Sequence, residues 1–194
     1  NGWHRDTAAR LLKQRRDVAA DSILKKLVHK AQSSEGRMTA LCTLAAGQSM
    51  DDDTLLAGLS DADSNVRVIA AKVAVDFVSK YADRFPASRE RLFHLANDED
   101  MRVRYQVAFS LGELDGPLQA ETIARLVVKD GADPWMRLAL LSSTLNTAGD
   151  VFLRLAVNKD SRSKSRVSRF LTTLAQQIGR AGQSRQIASV LKSL

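Results

Sequence analysis

The sequence predicts an all-α fold, an α-α superhelix of about five stacked helix pairs, and three observations carry that expectation. Apolar residues recur at i, i+3, i+4 and i+7 in one segment after another, and no segment alternates with period two over a useful length. Punctuation is sparse, with 10 glycines and 3 prolines in 194 residues, far fewer than the turns of a β-sandwich of this length would need. A hydrophobic–Arg dipeptide opens the second helix of each pair at Arg67, Arg104 and Arg137, with looser counterparts at Arg37 and Arg166. The spacings are 30, 37, 33 and 29 residues, a period that marks stacked units each too small to bury its own apolar face.

The elements follow in order. Met38, Leu41, Cys42 and Ala45 define an early apolar face, in which Cys42 reads as a small buried hydrophobe rather than a reactive thiol. Asp51, Asp52 and Asp53 place negative charge where the macrodipole favours it, before a helix starting near Thr54. Val66, Ile69, Ala70, Val73, Ala74 and Phe77 give the clearest amphipathic face, followed by Val103, Val107, Ala108, Leu111 and Leu114. Asp133 can cap a helix that Pro134 then opens before Trp135. Gly47, Gly112 and Gly149 fall at or near helix ends. Val167, Phe170, Leu171, Leu174 and Ile178 form the inward face of a last clear helix over 165–178. The pairs are 55–74, 91–114 and 124–143, each a Leu-rich helix, an acidic turn and a second helix. Eleven or twelve helices are expected in one domain spanning 1–194, and only residues 159–166 suggest a mobile loop. A chain of this length can bury roughly 70% of its unfolded surface and needs no disulfide or metal to fold.

The pattern Asp-x-Asp-x-x-Val-Arg-x-x-Ala, here Asp61, Asp63, Val66, Arg67 and Ala70, resembles the core of a HEAT repeat. That resemblance implies an internal polar ladder of turn acids and helix arginines, in this chain Asp61, Asp63, Arg67, Asp98, Arg104, Asp133 and Arg137. Recurrence at one register agrees, because a stacking interface must repeat whereas a binding site need not. On this reading each arginine pairs with the preceding turn's Asp or with its carbonyls. A narrower resemblance rests on NGWHRDTAARLL (1–12), VRYQVAFSLGEL (103–114) and DPWMRLALLSS (133–143). Together these are similar to the helical segment of bacterial PVC-type haem-containing dehydrogenase-like proteins, which implies a β-propeller before the array, a c-type cytochrome domain after it and an extracytoplasmic location. The chain, which lacks an initiating Met, then reads as a piece of a longer protein.

Constellations for chemistry are absent. His4, His29 and His94 lie far apart with neither His-x-x-x-His nor Cys-x-x-Cys spacing, so no metal is expected. Residues 61–72 begin like a calcium loop but carry Val66 and Lys72 where glycine and a bidentate glutamate are required. The triplets 51–53 and 98–100 read as solvated helix starts. No nucleophile elbow and no phosphate-cradling glycine loop occurs, so no catalytic residue, no cofactor and no enzyme activity are expected.

Charge supplies the remaining signal. The net +7 lies in the last quarter, where residues 151–194 hold 9 Lys+Arg against the lone Asp160. Arg162, Lys164, Arg166, Arg169 and Arg180 are the candidate surface for an anionic partner, with Arg166 and Arg169 on the face opposite Phe170, joined by Arg162 if the helix starts early and by Arg180 if it runs on. A scaffold that contacts neighbouring domains or another protein is the leading expectation, with nucleic-acid binding the alternative. The alternative lacks outward aromatics for base stacking, since Phe170 points inward. No window approaches 18 apolar residues, so this segment is not expected to insert in a membrane.

Overall fold

The computed structural model describes residues 2–3, 7–8, 10–11, 18–157, 165–182 and 184–191. Among them eleven α-helices are delimited and no strand occurs. The chain divides into two compact units, Asn1–Val107 and Ala108–Leu194.

The first unit contains α1 (Val18–Lys30), α2 (Ser34–Gly47), α3 (Asp52–Leu59), α4 (Ser64–Lys80), α5 (Pro86–His94) and most of α6 (Met101–Ser110). Helices α1 and α2 pack on each other, as do α3 and α4, and helices also pack on their equivalents in the next pair: α1 on α3, α3 on α5 and α2 on α4. Two layers result, with Leu41, Leu44, Leu55, Leu59, Val66, Ala70 and Leu92 fully enclosed. Gly58 permits the closest approach. A Cβ there would stand 2.9 Å from Leu41 Cδ1 and 3.1 Å from the Ala70 methyl, so α3 lies almost against both α2 and α4. The long step of 37 residues between Arg67 and Arg104 reflects the 17-residue α4 and a 3-10 turn, Ala82–Arg84, after it. Phe85 closes that insertion, buried with its ring centroid 5.4 Å from that of Phe77.

The second unit contains α7 (Pro117–Asp130), α8 (Pro134–Ser142), α9 (Ala148–Val157), α10 (Ser165–Ala181) and α11 (Ser184–Leu191). Here α7 packs on α8, α9 and α10, while α9 also packs on α10 and α11. Its core includes Ile123, Val127, Met136, Leu140, Val151, Phe170 and Leu174. Two of the polar groups taken inside are matched, since Ser143 Oγ donates to the Ala108 carbonyl and Gln119 Nε2 to the Leu111 carbonyl, both at 2.7 Å, whereas Thr147 Oγ1 is shielded without a hydrogen-bond partner among the described residues.

Local signals place most boundaries. Ser33, Asp51, Asp63 and Asp133 cap α2, α3, α4 and α8, each accepting from a backbone N–H of the first turn. Val103, Val107, Ala108, Leu111 and Leu114 are all inaccessible to solvent, and Val167, Phe170, Leu171, Leu174 and Ile178 are buried, as the periodicity predicts. Gly47 is the last residue of α2, as expected, and the left-handed residue just after it is Gln48, with φ 58°. Two expectations need correction. Ser165 and Arg166 belong to α10 rather than to a loop, and the rest of the 159–166 segment lies outside the described residues. Cys42 is exposed, because α2 buries Ala40, Leu41, Thr43 and Leu44 and a 100° step turns residue 42 away from that face.

One joint has no counterpart in the sequence pattern. The α5 N-terminus has Phe85 at its cap, which offers no side-chain acceptor. Asp52 of α3 supplies it instead: Ala87 N–H and Ser88 N–H donate to its two carboxylate oxygens at 3.0 and 2.9 Å, and Ser88 Oγ donates to its carbonyl. A carboxylate from one repeat thus caps a helix of the next. Asp52→Ala is expected to lower stability by about 0.5–2 kcal/mol, the usual range for a lost N-cap, with Asp53→Ala on the open face as the small-effect control in urea denaturation.

Candidate functional site

The repeated arginines form the most ordered polar array in the first unit. From α2, Arg37 Nε and Nη2 donate to the two Asp61 carboxylate oxygens at 2.6 and 2.9 Å, while Nη1 donates to the Ala31 and Gln32 carbonyls. From α4, Arg67 repeats the arrangement one pair later. Its Nε and Nη2 reach Asp98 at 2.8 and 2.9 Å, and Nη1 reaches the Asp61 and Ala62 carbonyls. Arg104 likewise donates to the Asp98 and Glu99 carbonyls at 2.8 and 3.0 Å. Each arginine therefore grips the carbonyls of its own preceding turn and, at Arg37 and Arg67, the carboxylate of the following one. The sequence-based expectation had placed that acid in the preceding turn.

The two acids of each turn divide the work. Asp61 and Asp98 receive the arginine forks and also accept from the N–H two residues on, Asp63 and Asp100 respectively. Asp63 caps α4, and Asp100 accepts from the Arg102 N–H at 2.8 Å. Arg102 in turn reaches back to Asn65 Oδ1 and Ser64 Oγ at 3.0 Å. In the third turn Gly131 occupies the register of Asp61 and Asp98. Asp133 stands where Asp63 does and caps α8, so it is a cap and not the carboxylate end of a rung. Arg137 donates to the Gly131 carbonyl at 3.3 Å. In sequence Asp160 stands six residues before Arg166, at the ladder register, and lies outside the described residues.

Burial and charge act together here. Arg67 and its acid are nearly enclosed, at 8% and 6% side-chain exposure. Burial pushes the Asp98 carboxyl up, yet the Arg67 fork and the Asp100 N–H outweigh it and hold the group below its ordinary value. Hydrogen bonding to Asp98 raises Arg67 against the burial that opposes it.

Besides Asp98, three acids of the triplets 51–53 and 98–100 have basic side chains beside them. Lys25 lies 2.6 Å from Asp51, His29 Nε2 lies 3.3 Å from Asp53, and Arg102 lies 2.7 Å from Asp100. Against the calcium-loop pattern, Asp61 is already neutralised by Arg37. His94 sits beside Glu90 of its own helix at 3.7 Å, and His4 lies outside the described residues. No group of three His, Cys, Asp or Glu that could hold a metal occurs among the described residues, nor a helix long and apolar enough to cross a membrane.

Exposed Cys42 has a thiol raised above its ordinary value of 9.0, pushed up by partial burial, with Lys72 pulling the other way. Its reaction with an aromatic disulfide reagent at pH 8 is therefore expected to be slower than that of free cysteine, with the rate still rising beyond pH 9. A rate above that of free cysteine would contradict this environment.

On the candidate basic surface, Arg169 and Arg180 are exposed on α10. Arg166 is half-buried, its Nε shielded and without a hydrogen-bond partner among the described residues. Arg162 and Lys164 lie outside the described residues. An unanticipated feature is the outer face of α8. Trp135 and Leu138 are 67% and 59% exposed, and with Pro134, Arg137 and Leu141 they line an open groove of about 360 Å³. Sequence reading passes over these residues because α8 is apolar almost all round, which hides its outward set.

Residues 53–143 match the family model for HEAT repeats, covering α3 to α8 apart from the first residue of α3. No curated protein matches the chain in sequence. HEAT repeats are helical scaffolds that typically mediate protein interactions without catalysing a reaction, and the all-α, paired architecture within each unit accords with that match.

Proposed function

We propose that this chain is a non-catalytic spacer and protein-interaction module of a larger, extracytoplasmic, haem-containing dehydrogenase-like protein, and that a neighbouring domain of that parent contacts α8. The observation that carries the interaction reading is a contrast between the two kinds of surface. Arg37 and Arg67 are engaged with the turn acids Asp61 and Asp98, whereas Trp135 and Leu138 face outward beside Arg137, the residue types that anchor interfaces. The parent-protein part rests on the sequence likeness at 1–12, 103–114 and 133–143, the last of which folds as the α8 region.

Hydrogen exchange on the intact parent protein and on the isolated chain tests the interaction. Protection of 134–142 in the parent alone is expected, and equal exchange in both would overturn it. The haem connection has a separate test: a parent gene without a downstream Cys-x-x-Cys-His removes it and leaves the interaction module in place. Exposed Arg169 and Arg180 favour a second reading, a nucleic-acid-binding array. Anisotropy with duplex and single-stranded DNA at rising salt decides that reading, and absence of binding at low salt ends it.

A further inference from the structure

We infer that the groove between α7 and α9 binds an acidic peptide segment that inserts one apolar side chain, an assignment that rests on the interaction-module reading and gives it a chemistry. The two helices pack directly. Ala124 and Val128, one turn apart on α7, form the floor with Leu155 of α9. The rim is cationic: Arg125 and Lys129 stand on α7, again one turn apart, and Arg154 stands on α9. All three are exposed at the edge of an open groove of about 350 Å³.

These cations differ from the arginines of the first unit. Arg37 and Arg67 are locked onto carboxylates, whereas Arg125 donates to Thr122 Oγ1 at 3.2 Å, and none of the three rim cations forms an ion pair with a described carboxylate. Glu121, one turn before Arg125, is the groove's own acid. Residues 108–194 hold 12 Lys+Arg against 7 Asp+Glu, so the field around the groove also draws an anionic partner.

Shape and charge select among anions. A floor of three aliphatic side chains fits a Leu-sized group, and cations on both walls call for more than one carboxylate. A short segment with acids on either side of an aliphatic residue meets both demands. Nucleic acid fits less well, because no aromatic lines the groove for base stacking and an apolar floor would strip water from phosphate.

Anisotropy with a labelled peptide bearing a central leucine between two runs of three glutamates tests the assignment on the full chain, in parallel with a lysine-flanked peptide, an alanine-centred peptide and single-stranded DNA. The acidic leucine peptide is expected to bind best. Arg125→Glu with Arg154→Glu should weaken it by at least about tenfold, Glu121→Gln should tighten it about twofold, and Lys80→Glu, a charge change on an exposed lysine of the first unit, should leave it nearly unchanged. Circular dichroism checks that each variant folds. Equal binding by wild type and groove variants would overturn the groove assignment while leaving the interaction module standing, because the peptide would then dock elsewhere. Loss of DNA binding rather than peptide binding in the groove variants would replace the peptide by nucleic acid. Failure of every peptide to bind, with α8 still protected in the parent, would overturn this inference alone.

Discussion

Arg67→Ala is expected to destabilise the first unit by about 3–5 kcal/mol, because it strands Asp98 in a nearly closed site with no counter-charge. Asp98→Ala should cost a similar amount, leaving a buried guanidinium with only the Asp61 and Ala62 carbonyls. The paired change Arg67→Met with Asp98→Leu should recover most of the loss, since it removes both charges along with their desolvation. Urea denaturation of the four proteins checks this. A single substitution costing under about 1 kcal/mol would mean that the rung behaves like an exposed ion pair.

The same rung carries a pH dependence with a defined sign. Asp98 is held below its ordinary value of 3.8, so its folded carboxyl gives up its charge less readily than its unfolded one. Its contribution is present above the unfolded value and is lost as pH falls through the folded value. The stability gap between wild type and Asp98→Asn should therefore be constant near neutrality and should narrow below about pH 4.

Phe170→Ala is the corresponding test of the second unit, with an expected loss of about 3–5 kcal/mol. The ring is inaccessible to solvent on α10, a helix that packs against both α7 and α9, and truncation leaves a cavity that two neighbours would have to fill. Arg169→Ala, the adjacent exposed position, should shift stability by no more than about 0.5 kcal/mol. Parallel denaturation curves decide the matter, and equal effects would place residue 170 outside the core.

The helices were legible in the sequence because their apolar period is strong and their caps are local. Val103 to Leu114 and Val167 to Ile178 needed no knowledge of the tertiary fold. The arginine register was legible too, since repetition betrays a stacking surface. What the pattern could not give is which acid each arginine takes. Asp61 and Asp98 precede Arg67 and Arg104 by six residues, so local reading pairs them within one turn, whereas the Arg67–Asp98 rung spans 31 residues and exists only once the repeats are stacked. The Asp52 cap on α5 eluded local reading for the same reason. Cys42 misled because its neighbours are apolar while its own direction is outward. The groove of Arg125, Lys129 and Arg154 joins two helices that nothing in the linear charge pattern connects.

The offset of the rungs has a consequence for how such a chain can grow. Residues 61–97 present an acid to the repeat before them through Asp61 and an arginine to the repeat after them through Arg67. A tandem copy of that stretch would meet Arg67 with its own acid and Asp98 with its own arginine, so both new joints would match the old ones. Lengthening by duplication thus requires no new chemistry at the seams, and a change of reach can come before any change of sequence.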